Sequence, residues 1–386
     1  MSKIISLIVS FIMFFFPMLN VPNVKVDESK FNTEYANIFV HGLSGWGSYD
    51  WYYAAMPYWG VFGGDLMQYL NARGFESYCA SVSGTDSAWD RACELYAQLT
   101  GTLTDYGEEH SKRCRHDRYG KDFTDQPLVD EWNAEEKINL FGHSFGGATV
   151  RIFAELMANG SPEERSTSGN EVSEFFKGGK ADWIYSITTL AAPHNGTSAY
   201  LVRKEILKAP NATAEERAVV AVLTVASMPS LDGRDLEDSA EGDMDIDNAM
   251  ELNKRISTLK NVYYFSYACS ATEPADDGIY YVPKDGMVEG LYKACSRRMG
   301  RFSGTTEGGY VVDEKWREND GLVNTYSALA PIGAPTVNYD SANVRTGVWN
   351  IMPIYEGDHM SLQGGMTVNN NVRVFYIELL SMINSL

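Results

Sequence analysis

Cysteine is scarce in this 386-residue chain: five are present, at positions 79, 93, 114, 269 and 295. So few, and an odd number, exclude a disulfide scaffold and read instead as small buried apolar side chains. Positive charge is also short, since 32 Lys and Arg stand against 51 acids for a formal net charge of -19. That balance excludes a nucleic-acid partner, which needs a basic face, while the carboxylate surplus favours solubility and suits divalent cations. Neither a repeat of 20 to 50 residues nor a low-complexity tract is present, so solenoids and arrays are set aside. Long apolar runs are limited to one, IISLIVSFIMFFFPMLNV after Lys3. This run reads as a secretion signal over about residues 1–25 and makes the extracellular space the expected location. Its length approaches that of a membrane span, so an uncleaved anchor is the alternative.

What is abundant is apolar and aromatic material, 44% and 12% of the chain. That is enough for a large core, and one domain over 30–386 is expected. Short apolar runs without polar alternation occur at Asn37–Val40, Ile138–Phe141, Trp183–Leu190, Val262–Tyr267 and Val348–Tyr355. Strands buried on both faces have this pattern, which implies a mainly parallel sheet. Helical patterns fall between and around them, at Gly63–Ala72, Trp89–Thr100, Thr149–Ala158, Ala214–Ala226, Asp247–Thr258 and Val372–Ile383. The alternation predicts an α/β fold with helices flanking the sheet. Two charge-rich stretches, Glu108–Glu131 and Asp232–Asp247, fit neither pattern and are expected to run over the surface.

Gly142-His143-Ser144-Phe145-Gly146 matches Gly-x-Ser-x-Gly between a strand and a helix. That context defines a nucleophile elbow, in which glycines on either side of the serine avoid a collision in the tight turn. Acyl transfer also needs backbone N–H groups where the oxyanion forms. Phe145, directly after the serine, supplies one, and Leu43, in the His41-Gly42-Leu43 turn after an early strand, supplies the other. In this arrangement the acid and then the base follow the serine along the chain. Of six histidines only His359 lies far downstream, and it takes the role of general base. Asp320, in Glu318-Asn319-Asp320-Gly321, is the acid that fixes its tautomer; Asp358 is the competing carboxylate, disfavoured because adjacent residues diverge.

These motifs, together with HGLSGWG from His41, YWGVFGGDL from Tyr58, WDRACELYAQLTGTLTDYG from Trp89, SITTLAAPHNGT from Ser186 and GVWN from Gly347, resemble the zinc-containing thermostable bacterial triacylglycerol lipases. The likeness runs from about Asn37 to the C-terminus. It implies an α/β-hydrolase fold, the triad Ser144, Asp320 and His359, and oxyanion donors Leu43 and Phe145. It also implies a structural zinc whose ligands would be Asp90, His110, His116 and Asp243. Two imidazoles and two carboxylates suit a closed tetrahedral site, which would pin the two charge-rich stretches together as a surface insertion. The calcium position of such lipases is not matched, because Ser361, Gly364, Gly365 and Met366 stand where carboxylates are needed, and Gly286 offers only a carbonyl. No calcium is expected there.

In such lipases a helical lid follows the Pro-His turn. The corresponding segment, Thr197–Met228, mixes Tyr200, Leu201, Ile206, Leu207, Val219 and Leu223 with charge, which suits either an amphipathic lid or an ordinary core helix. The expected function is a secreted lipase acting on lipid esters at an oil-water interface, with no obligate protein partner. A carboxylesterase or phospholipase A1 with the same triad, and a non-catalytic lipid-surface binding protein, are the alternatives.

Overall fold

The computed structural model describes residues 33–61, 63–167, 171–228, 233–365 and 371–386, so the expected secretion signal lies outside the described residues. Seven parallel strands form the central sheet: β1 (Ala36–Val40), β2 (Ser77–Ala80), β3 (Ile138–His143), β4 (Ile184–Leu190), β5 (Tyr263–Tyr267), β6 (Thr336–Asn338) and β7 (Trp349–Ile351). Their spatial order is β6-β7-β5-β4-β3-β1-β2. All neighbours pair in parallel.

Both faces of the sheet are covered, which explains why its strands lack polar alternation. In β1 every residue is buried. Ile38 and Val40 join Ile138 and Leu140 of β3 in one core, while Phe39 and Phe141 belong to the other. Phe39 and Phe141 are register partners, and their rings stack at 4.6 Å. Helices α2 (Ala88–Thr100) and α4 (Gly146–Asn159) supply residues to the first core, among them Leu95, Leu99, Ile152 and Phe153. Helices α1 (Leu66–Asn71) and α10 (Asn371–Ile383) supply Leu66, Leu70, Tyr376 and Leu380 to the second.

One expected strand departs from the sequence pattern. The run Val348–Tyr355 is split: β7 ends at Ile351, and Tyr355–Glu356 pairs with Cys269–Ser270 outside the central sheet. Pro353 lies in the break and has no N–H to continue a ladder. The stretches expected as irregular surface also contain structure. Helix α3 (Glu108–Cys114) and a hairpin of Leu103–Asp105 with Tyr119–Asp122 occupy the first. The second holds α7 (Ala240–Met244), capped by the Ser239 hydroxyl. The segment proposed as lid or core folds as α5 (Ala199–Lys208) and α6 (Ala214–Val225). Helix α6 buries only Val219 and Leu223, so it is a surface helix. Helices α8 (Ile246–Arg255) and α9 (Leu291–Met299) come later in the chain. No helix among the described residues is long and apolar enough to cross a membrane.

Candidate active site and metal cluster

The turn after β3 is built for close approach. A Cβ on Gly142 would lie 2.5 Å from the Gly146 carbonyl oxygen, and one on Gly146 would lie 2.4 Å from that of Val40. Ser144 between them adopts φ 55°, a left-handed conformation that a non-glycine residue holds only when its surroundings impose it. The strain lifts its hydroxyl off the strand end. His359 Nε2 lies 2.8 Å from Ser144 Oγ, and His359 Nδ1 lies 2.8 Å from Asp320 Oδ2. The other Asp320 oxygen accepts from the amides of Leu322 and Val323 at 3.0 and 2.8 Å. A carboxylate so supplied with donors is held in one orientation. Side chains 144, 320 and 359 thus meet at one place. Asp358 turns the other way, accepting from the amides of Val288 and Met360.

Residues that the sequence reading passed over hold this centre in place. His143, the variable residue of the elbow, is fully buried, and desolvation followed by the nearby His359 charge lowers its pKa to about 3, so its ring is neutral. Its Nε2 lies 2.8 Å from the carbonyl oxygen of His359, which can only accept, so the proton sits on Nε2. Nδ1 therefore accepts from the Tyr58 hydroxyl at 2.8 Å, and that hydroxyl accepts from the Gly42 amide at 3.2 Å. One directional chain of hydrogen bonds joins the Gly42 loop, the elbow and the loop of His359.

Arg91 on α2 secures the same loop from the other side. Its guanidinium donates to the carbonyls of His41, Gly42 and Ser83 and to Thr149 Oγ1, and it lies 4.6 Å above the Phe145 ring. His41, kept neutral by burial with a pKa of about 3, adds an Nδ1–H bond of 2.9 Å to the Gly42 carbonyl. The Gly42–Leu43 peptide thus has its carbonyl fixed toward Arg91 and His41. In a trans peptide the Leu43 N–H then points the opposite way. Neither Tyr58 nor Arg91 falls within a motif whose spacing reveals its role.

A second polar centre lies at the start of α2. Asp90, His110, His116 and Asp238 each offer a ligand atom, all within 4.8 Å of one another. His116 Nδ1 donates to the Asp117 carbonyl at 2.8 Å, which leaves the Nε2 lone pair facing the carboxylates, as a metal-bound imidazole requires. His110 Nε2 lies 3.0 Å from Asp90 Oδ1 and 3.2 Å from Asp238 Oδ1. Burial alone would lower the His110 pKa, but its bonds to Asp238 and Asp90 outweigh that and raise it to about 11. Two carboxylates this buried demand a positive charge. His116 Nε2 and Asp238 Oδ2, both buried, lie 3.3 Å apart without forming a hydrogen bond, so the donor set fits a cation.

The expected fourth ligand, Asp243, is a correction. Its Oδ2 accepts from the Ala88 amide at 2.6 Å and caps the first turn of α2, with burial raising its pKa to about 7. A bridge between Asp86 and Ser239 draws residue 238 beside Asp90 instead. Both aspartates belong to one acidic stretch, and its composition does not distinguish them.

Comparisons with known proteins bear on the family and the fold. Residues 33–208 and 233–374 match the family described as lipase-like, C-terminal domain. Lipase 2 of Staphylococcus aureus is 31% identical over 371 residues, which cover 88% of this chain and 52% of the relative. The chain therefore spans about half the length of that relative. Among solved structures, EstA from Clostridium botulinum is 30% identical with a TM-score of 0.78, covering 96% of this chain and 92% of its own. Lipase 1 from Pelosinus fermentans is 30% identical with a TM-score of 0.73, covering 92% and 99%. The seven-stranded parallel sheet is of the α/β-hydrolase type, and the chain belongs to the lipase-like, C-terminal domain family of bacterial lipases.

Proposed function

We propose that this protein is a secreted serine ester hydrolase that cleaves triacylglycerols, with one catalytic unit over residues 30–386. The observation that carries the reading is the relay from Ser144 through His359 to Asp320, with both contacts at 2.8 Å. His359 takes the Ser144 proton as the hydroxyl attacks the ester carbonyl, then returns it to the departing alcohol. Asp320 holds the imidazole in the tautomer that can accept at Nε2 and stabilises the imidazolium once it forms. The amides of Leu43 and Phe145 receive the oxyanion, aided by the fixed Gly42–Leu43 peptide. Water then repeats the sequence on the acyl-enzyme, and the fatty acid leaves.

Ser144 and His359 are 7% and 3% exposed, so substrate entry needs an opening motion. Helices α5 and α6 are the proposed lid. Glu216 of α6 is paired with Arg298 of α9, with Oε1 2.6 Å from Arg298 Nε, and few of its residues are buried. A surface helix fastened by an ion pair can leave at low cost. The metal cluster is proposed to bind zinc through Asp90, His110, His116 and Asp238. The ion would add folding stability by joining α2 to the acidic stretch, and no catalytic step runs through it.

Hydrolysis of emulsified triolein by the wild type and by Ser144→Ala tests the reading. Turnover by the wild type should fall at least about a thousandfold in the variant. A strong preference for short soluble p-nitrophenyl esters over triolein would replace the lipase reading with a carboxylesterase, and equal activity in both proteins would end the hydrolase reading.

A further inference from the structure

We propose that the loop from Trp51 to Met56 is an anchor that seats the protein on an uncharged lipid surface beside the active site. The proposal rests on the hydrolase reading and deepens it. Trp51 is 91% exposed, more than any other large apolar residue among the described residues. Ala54 and Ala55 beside it are exposed as well. A Trp left in water on a loop tip gains nothing from the fold, whereas its amphipathic ring is favoured at the boundary between lipid and water.

Charge supports the same occupant. The chain carries a net charge of -19, yet no charged residue lies between Asp50 and Asp65. The carboxylates at both ends of that interval are used internally. Asp50 Oδ2 accepts from the Gly47 amide at 2.8 Å, and Asp65 Oδ1 accepts from Met67 at 2.9 Å. An acidic protein with one uncharged aromatic projection is repelled by anionic lipid and suited to a neutral or zwitterionic surface.

The loop is also tied to the catalytic centre. Trp46 of the oxyanion segment donates through Nε1 to the Met56 carbonyl at 2.7 Å. Rings continue from Trp51 to Tyr52 at 5.4 Å, Tyr52 to Trp46 at 5.7 Å, and Trp46 to Tyr58 at 5.5 Å. Tyr58 then bonds His143 in the elbow. Seating the indole in lipid therefore orients the oxyanion loop relative to the surface.

The test measures partition of the full chain onto vesicles of non-hydrolysable diether phosphatidylcholine, for the wild type, Trp51→Ala and Trp51→Phe, beside hydrolysis of a soluble short-chain ester. Trp51→Ala should bind about five- to tenfold more weakly, Trp51→Phe should retain most of the binding, and soluble-ester kcat/KM should stay within about twofold. Unchanged partition in Trp51→Ala overturns the proposal, as does tighter binding to phosphatidylglycerol vesicles. A wild type that dimerises through this loop, losing the dimer in Trp51→Ala, assigns the surface to a second copy instead. If no protein hydrolyses the soluble ester, the hydrolase reading fails while the partition result stands by itself.

Discussion

The proposed catalytic centre and the proposed metal cluster are both buried groups of histidines and carboxylates, yet they are completed in different ways. At the first, each polar side-chain atom has a protein partner: Ser144 with His359, His359 with Asp320, and the free Asp320 oxygen with two amides. At the second, His116 Nε2 and Asp238 Oδ2 face each other at 3.3 Å without a hydrogen bond. A burial cost left open in this way is tolerated when an ion closes it. The first centre is therefore ready to act once substrate reaches it, while the second should matter for stability.

The sharpest way to break that distinction is Asp320→Asn. It should lower kcat by about ten-thousandfold through the wrong His359 tautomer, while the melting temperature moves little. Steady-state hydrolysis of a soluble ester, measured beside thermal unfolding, reads both quantities, and a modest kcat loss would deny Asp320 its role. The converse case is Asp238→Ala. It should reduce bound zinc below about half an equivalent and cost more than about 2 kcal/mol of stability, with soluble-ester kcat largely kept below the melting point. Asp243→Asn should keep the metal, and metal analysis that finds the reverse pattern would restore Asp243 as the ligand.

A smaller effect concerns pH and the clasp around the base. The His143 pKa is depressed in the folded state to about 3. Its contribution to stability is thus complete above the unfolded value of about 6.5 and is lost as pH falls toward 3. The stability advantage of the wild type over His143→Gln should shrink by about 2 kcal/mol between pH 7 and pH 5. Urea unfolding at the two pH values checks it, and a constant gap would mean that the folded and unfolded chains bind the His143 proton equally.

Much of the catalytic centre was legible because its chemistry is local or ordered along the chain. The elbow is five consecutive residues, and the scarcity of histidine leaves His359 alone far downstream. The supports were not legible, since Tyr58 and Arg91 act through backbone atoms 16 and 50 residues away. Asp238 was missed for a related reason: only the pairing of Asp86 with Ser239 decides which aspartate of the acidic stretch reaches Asp90. The five principal strands were readable from apolar runs. By contrast, β2 has four residues and the edge strand β6 three, with Thr336 and Asn338 exposed, so neither carries a pattern long enough to register.

The relay closes across 215 positions of sequence, from Ser144 to His359. A growing polypeptide that already displays its elbow has no base to activate the hydroxyl until residue 359 has been made and docked. On the proposed mechanism, synthesis itself acts as a safety catch that is released only when residue 359 is in place.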